Sequence, residues 1–291
     1  MIKMIKPVVN ISKIIDKYNT VILGLRGVIT DGKSIVSQDA INALLNFRKQ
    51  GIHIVLLSNT AQRVESVIRF FHKNGVPLAA FDAIMTAGEI LHFHLKSRSG
   101  DFGSLGKKYF RIGDKSYQGV FSGLEDYQEV ETLAQADFIY IEGIADKDDM
   151  IEKYVPVLEH AASLNIPMLC VGNDTSTYNN GEIVLGAAAL AEQYAVLGGK
   201  ILTVGKPDAK LFAYILDGIP QVKKDKVLVI GDSLSSDIKG AQLLGVDSVL
   251  ISKGIHTHFL GEGYIPDVAK TRELSANFDV NPDYVISGLR W

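Results

Sequence analysis

The chain has 291 residues, of which 47% are apolar and 22% charged, and its formal net charge is −3. That balance suits two medium globular domains with sizeable cores, and it excludes a disordered chain and one basic enough for general nucleic-acid binding. No window approaches the roughly 18 apolar residues of a membrane-spanning helix, and the single cysteine, Cys170, excludes an internal disulfide framework and a Cys-rich metal site.

The stretch Met1 to Val21 is broken by Lys3, Lys6, Lys13 and Lys17 and carries no small-residue cleavage site. It is therefore not read as a signal peptide, and the cytoplasm is the expected address. Thr20 to Leu25 and Ile52 to Leu57 read as short buried strands. Between them, Ser37 to Gln50 places Ile41, Leu44, Leu45 and Phe47 on one face, with Gly51 just past the end, and predicts a crossover helix. Gln62 to Asn74 repeats that pattern through Val64, Val67, Ile68 and Phe71, and Gly75 closes it. Ser97 to Gly106 and Gly113 to Glu125, rich in Gly, Ser and charge, read as loops entering a second unit. That unit is placed at residues 81–202, with strands Phe138 to Glu142 and Ile166 to Val171 and helices Lys147 to Leu164 and Gly186 to Leu197. Cys170 lies in the apolar run of the second of these strands and is expected to be a buried packing residue. The chain then returns to the first unit, 1–80 plus 203–291, through the strand Lys226 to Ile230. Alternating strands and helices of this kind imply a doubly wound parallel α/β core with a second, inserted α/β domain.

Three segments carry candidate chemistry. Ser58-Asn59-Thr60 follows a strand and precedes a helix, where hydroxyls and backbone N–H groups bind an anion or simply cap the helix. Gly205-Lys206-Pro207 sets a lysine in a rigid turn before the helix Ala209 to Leu216, although a lone lysine is usually a solvated surface residue. Asp232 and Asp237, in the loop Gly231 to Asp237 between a buried strand and the helical run Ile238 to Leu244, present oxygens to one hard cation, or else Asp237 caps the helix.

In this order and these strand contexts, the segments resemble motifs II, III and IV of the haloacid dehalogenase (HAD) superfamily. The insert carrying Gly172-Asn173-Asp174 and Gly186-Ala187-Ala188-Ala189-Leu190 looks like the cap of subfamily IIA, the sugar-phosphatase and nitrophenyl-phosphatase-like branch. The tail segments Lys253 to His256 and Pro282 to Ile286 resemble the same branch, so the likeness covers nearly the whole chain. The resemblance implies a Rossmannoid core with an α/β cap, phosphate held by Ser58, Asn59 and Lys206, Mg²⁺ held by Asp232 with support from Asp237, and substrate selection by cap residues including Asn173 and Asp174.

Motif I departs from that pattern. Where the family has Asp, any residue, Asp, Gly, this chain reads Gly24-Leu25-Arg26-Gly27. Gly24 stands in place of the nucleophile and Arg26 in place of the general acid/base, so no catalytic pair is intact. Glycine offers no atom to attack phosphorus, and a guanidinium with a pKa above about 12 cannot relay a proton at neutral pH. The nucleophile is also a metal ligand in this family, so Mg²⁺ binding is expected to be weak or absent. Arg26 is expected to pair with Asp232 or Asp237 in the cation's place, or to point to solvent. Asp31, the nearest other carboxylate, and Ser58, which has no histidine nearby in sequence, are weaker stand-ins for the nucleophile.

Three functions follow as expectations. The first is a catalytically impaired HAD-fold protein that binds a phosphorylated small molecule. The second is an active Mg²⁺-dependent phosphomonoesterase with an unrecognised nucleophile, and the third is a non-catalytic interaction subunit. Self-association into a homo-oligomer is compatible with each, and neither nucleic acid nor membrane is expected as a partner.

Overall fold

The computed structural model describes residues 4–113, 119–144, 146–219 and 222–291. Lys3 of the amino-terminal stretch and residues 114–118 of the expected loop after Gly113 lie outside them. Fourteen strands follow one another along the described chain: β1 (Lys6–Pro7), β2 (Thr20–Leu23), β3 (His53–Ser58), β4 (Ala83–Thr86), β5 (Lys108–Ile112), β6 (Gln128–Glu129), β7 (Phe138–Ile141), β8 (Met168–Val171), β9 (Ser176–Asn179), β10 (Glu182–Leu185), β11 (Ile201–Val204), β12 (Val227–Gly231), β13 (Asp247–Ile251) and β14 (Tyr284–Ile286).

The chain divides into two compact units, one of Met1–Ser58, Ile68–Met85 and Lys206–Trp291, the other of Asn59–Val67 and Thr86–Gly205. In the first, seven strands form a sheet in the order β1-β14-β13-β12-β2-β3-β4. The pairings β2 with β3, β12 with β2 and β12 with β13 are parallel. Every residue of β2 and β12 is buried, which is why both read as unbroken apolar runs rather than alternating ones. The crossover helix Gln38–Lys49 starts at Ser37, whose side chain accepts from the Ala40 N–H, and it buries Ile41, Leu44 and Phe47. Opposite, Phe212, Ile215 and Leu216 of the helix Ala209–Asp217 pack on Ile22, Val55 and Val229.

The second unit has its own sheet, in the order β11-β8-β7-β5-β6, with all four pairings parallel, plus the antiparallel hairpin β9–β10. Its core is independent of the first: Ile139, Ile141, Met168 and Cys170 pack against Leu158, Leu190 and Tyr194. Cys170 is fully buried, and burial pushes its thiol pKa up to about 12.

Two helices are shorter than their periodicity predicts. The stretch Lys147 to Leu164 winds as an α-helix only over Val155–Ser163, because Pro156 is tolerated only in a helix's first turn. Gln62 to Asn74 is helical over Val64–Lys73.

Candidate active site

Chain order reverses between β2 and β12, with β3 and β4 on one side and β13, β14 and β1 on the other. In open parallel sheets that reversal opens a crevice beyond the strands' carboxyl ends. Gly24 and Asp232 each stand one residue past those ends, and the Gly24 N–H donates to the Ile230 carbonyl at 2.8 Å, which extends the β2–β12 ladder. Ser58 is the last residue of the neighbouring β3 and is buried. It lies six residues before the helix Val64–Lys73, so capping that helix is not its role.

The acidic loop is wound wider than an α-helix. The N–H groups of Asp237 and Ile238 both reach the Ser233 carbonyl, and the Ser233 hydroxyl accepts from the Ser236 N–H, which makes Ser233 the cap of the turn. Asp237 is therefore not the N-cap. Its carboxylate turns back into the core, where the Lys206 ammonium donates to Oδ1 at 2.6 Å and the Ser233 N–H to Oδ2 at 3.2 Å. Lys206 is buried, against the usual habit of a lone lysine, and also donates to the Leu57 carbonyl at 3.1 Å.

Close approach explains two glycines here. Gly27 has φ +73°, and a Cβ on it would lie 1.8 Å from Asp232 Oδ2, so only a glycine lets the turn after β2 lie against that carboxylate. A Cβ on Gly254 would lie 2.2 Å from Asp232 Cβ, while the adjacent Ile255 N–H donates to Asp232 Oδ2 at 2.9 Å. Gly24 differs. A Cβ there would lie 3.4 Å from both Asp237 oxygens and from Val28, an ordinary van der Waals fit. The backbone at position 24 thus admits a Cβ that this sequence does not supply.

Arg26 is half-buried rather than fully solvent-directed, and its peptide bridges to Thr30. Asp31, the substitute nucleophile weighed from sequence, has its carboxylate tied into its own turn by the N–H groups of Lys33 and Ser34, at 2.8 and 2.7 Å. Partial burial works to raise its pKa, but those bonds outweigh it and hold the carboxyl below the usual carboxylate range.

Within the second unit, Asn59 donates through Nδ2 to Asp174 Oδ2 at 2.8 Å. Gly172 permits this contact: at φ +83°, a Cβ on it would lie 2.9 Å from that of Asn59. The sequence flagged Asn59 and Asp174 for different reasons, and the fold joins them; Asn173 sits half-buried beside them. Sequence reasoning placed Gly254, Ile255 and Ser233 in segments it singled out but gave them no role on the two carboxylates, which their backbone lies against.

For a divalent cation the described residues offer the carboxylates of Asp232 and Asp237. One of these is already balanced by an ammonium, and position 24 contributes no third carboxylate. Among the described residues no three His, Cys, Asp or Glu side chains converge as a cation site. Mg²⁺ is commonly held by one or two carboxylates together with water and phosphate oxygens, so Asp232 is the carboxylate left to such an ion while Asp237 stays paired with Lys206.

Comparison with known proteins agrees with the fold. Residues 18–245 match the family model described as haloacid dehalogenase-like hydrolase, and residues 203–291 match one described as HAD-hydrolase-like. A Bacillus subtilis protein named as a HAD-hydrolase, YfnB, is 35% identical over 69 residues, 24% of this chain; the match spans about a quarter of that relative's length, 27%. The crystal structure of a haloacid dehalogenase-like hydrolase from Brucella suis superposes with a TM-score of 0.78 at 26% identity, covering 96% of this chain and 98% of that one. A protein from Cytophaga hutchinsonii, named as a possible sugar phosphatase of the HAD superfamily, shares the fold at 17% identity and a TM-score of 0.70, with 96% of each chain covered. With a family model matched over most of its length, the chain belongs to the haloacid dehalogenase-like hydrolase family.

Proposed function

We propose that this family member binds the phosphate group of a phosphorylated small molecule without hydrolysing it. The observation that carries the reading is at Gly24: at the strand end where the family's nucleophile stands, the backbone faces Asp237, would admit a Cβ, and carries no side chain. Covalent phosphoryl transfer needs a side-chain lone pair at that point, and hydrogen supplies none. General acid/base help is worth about 10²- to 10⁴-fold, and Arg26, permanently charged, cannot supply it.

The remaining groups suit holding an anion. Ser58 offers a hydroxyl and a backbone N–H at a strand's carboxyl end, next in sequence to Asn59, and Lys206 and Arg26 carry fixed positive charge. Asp232 and Asp237 would hold Mg²⁺ only weakly, and Arg26 takes over part of the cation's electrostatic role by pairing with one of them.

The test is release of nitrophenol from p-nitrophenyl phosphate, with and without Mg²⁺, beside thermal-shift titration with inorganic phosphate and sugar phosphates. The expected result is no turnover above background and a rise in melting temperature with a phosphate-bearing ligand; a ligand at 100 times its Kd adds about 2.7 kcal/mol. Turnover that grows with Mg²⁺ and vanishes in Asp232→Asn would make the chain an active phosphomonoesterase and overturn the proposal. No shift with any anion would instead favour an interaction subunit.

A further inference from the structure

A surface hollow of about 550 Å³ lies in the first unit, against the exposed face of the helix Gln38–Lys49, and neither Asp232 nor Lys206 lines it. Its volume falls within the roughly 300–1,000 Å³ typical of small-ligand sites. Asp39, Asn42, Asn46 and Lys49 recur at helical spacing along one wall together with Leu45, and Asn10, Tyr264, Arg290 and Trp291 complete the lining. We infer that this cavity is a binding site for a neutral, polyhydroxylated ligand, a sugar or related polyol.

Three features select that chemistry. The first is the carboxamides of Asn10, Asn42 and Asn46. Each carries both donors and an acceptor, as a hydroxyl group requires of its partner. Among the described residues none of the three spends its side chain on another protein group, and Asn10 does so neither as the cap of the turn that follows it.

The second is the aromatic wall. Trp291 packs edge-on against buried Phe47, with centroids 5.9 Å apart at 69°, so the indole is braced on the helix rather than free to swing. A fixed indole gives the C–H face of a sugar ring an apolar surface while the carboxamides meet its hydroxyls.

The third is that most of the donors of Arg290 are already engaged. Arg290 donates through Nε to the Val9 carbonyl at 2.6 Å and through Nη2 to the Ser287 hydroxyl at 2.6 Å and the Tyr264 carbonyl at 3.1 Å. Its guanidinium also lies 3.7 Å from the Tyr264 ring centroid. Two of its three nitrogens are thus committed, and no open fork faces an anion. Of the other two charges in the lining, Asp39 and Lys49 are of opposite sign, so hydrogen-bonding carboxamides rather than a cluster of open cationic donors dominate the wall.

Trp291 is the chain's single tryptophan, so its fluorescence reports on this cavity alone. The experiment titrates the full chain with glucose, galactose, mannose and N-acetylglucosamine, and separately with inorganic phosphate. A saturable change is expected with at least one sugar, near a Kd of about 1 mM, and no comparable change with phosphate. Asn42→Ala and Asn46→Ala should each weaken that response roughly tenfold. Both variants should fold, because alanine is the better helix former, and circular dichroism checks that they do. No saturable change with any sugar up to about 100 mM, an equal response to phosphate, or an unaltered titration in the Asn42→Ala/Asn46→Ala double variant would each overturn the assignment.

Discussion

Lys206 Nζ lies 2.6 Å from Asp237 Oδ1, and the two side chains keep only 6% and 3% of their surface exposed. Neither charge has water to fall back on, so each depends on the other. Replacing Lys206 with Met leaves a buried carboxylate uncompensated and should cost about 3–5 kcal/mol. Urea unfolding followed by circular dichroism measures it; a loss below about 1 kcal/mol would mean that the pair is hydrated in solution.

The two glycines of the turn after β2 should respond in opposite ways to a methyl group. Gly24→Ala meets only contacts at 3.4 Å and should change stability by less than about 1 kcal/mol. Gly27→Ala faces a positive φ, worth about 1–3 kcal/mol of strain, together with a 1.8 Å approach to Asp232, and should be the more damaging by several degrees of melting temperature. Equal effects of the two would contradict this packing.

Adding a carboxylate at position 24 should restore cation affinity. Gly24→Asp places the new group beside Asp237, where Lys206 already offsets part of the repulsion. Isothermal titration with Mg²⁺ should give tighter binding in Gly24→Asp than in the parent by tenfold or more, about 1.4 kcal/mol. Identical titrations would show that the carboxyl end of β2 does not face the acidic loop as described.

Cys170 should be unreactive in the folded chain. Its thiol stays protonated up to about 12, whereas in the unfolded chain it ionises near 9.0. Because the folded value is the higher one, its contribution to stability is intact below the unfolded value and is lost as pH rises between the two. Iodoacetamide at pH 8 should leave the native protein unmodified and label one thiol once guanidinium unfolds it; rapid native labelling would place Cys170 at the surface.

The fold was legible wherever burial was complete. β2, β3, β7, β8 and β12 are apolar on both faces and announce themselves as uninterrupted runs. Strand β5, Lys108–Ile112, was not read, because Lys108 and Arg111 break its apolar run; Arg111 is nevertheless buried, satisfied by Glu129 and Glu142. The site residues were legible through their position after strands, but their couplings were not. Lys206 and Asp237 lie 31 positions apart, and Asn59 and Asp174 lie 115 apart, separations that no local pattern carries. The role of Gly254 and Ile255 could be found only through the carboxylate they surround, since a glycine reads as a turn until the neighbour it must admit is known.

The space left open at Gly24 has a genetic reading. A single-base change converts glycine codons to aspartate or glutamate codons, whereas none leads from arginine to aspartate. On the reading proposed above, a population selected for ester cleavage from this scaffold would gain a carboxylate in one mutational step, at a position whose backbone admits a Cβ. It would then stall at Arg26, so relatives evolved from this chain should form a phosphorylated intermediate sooner than they turn it over.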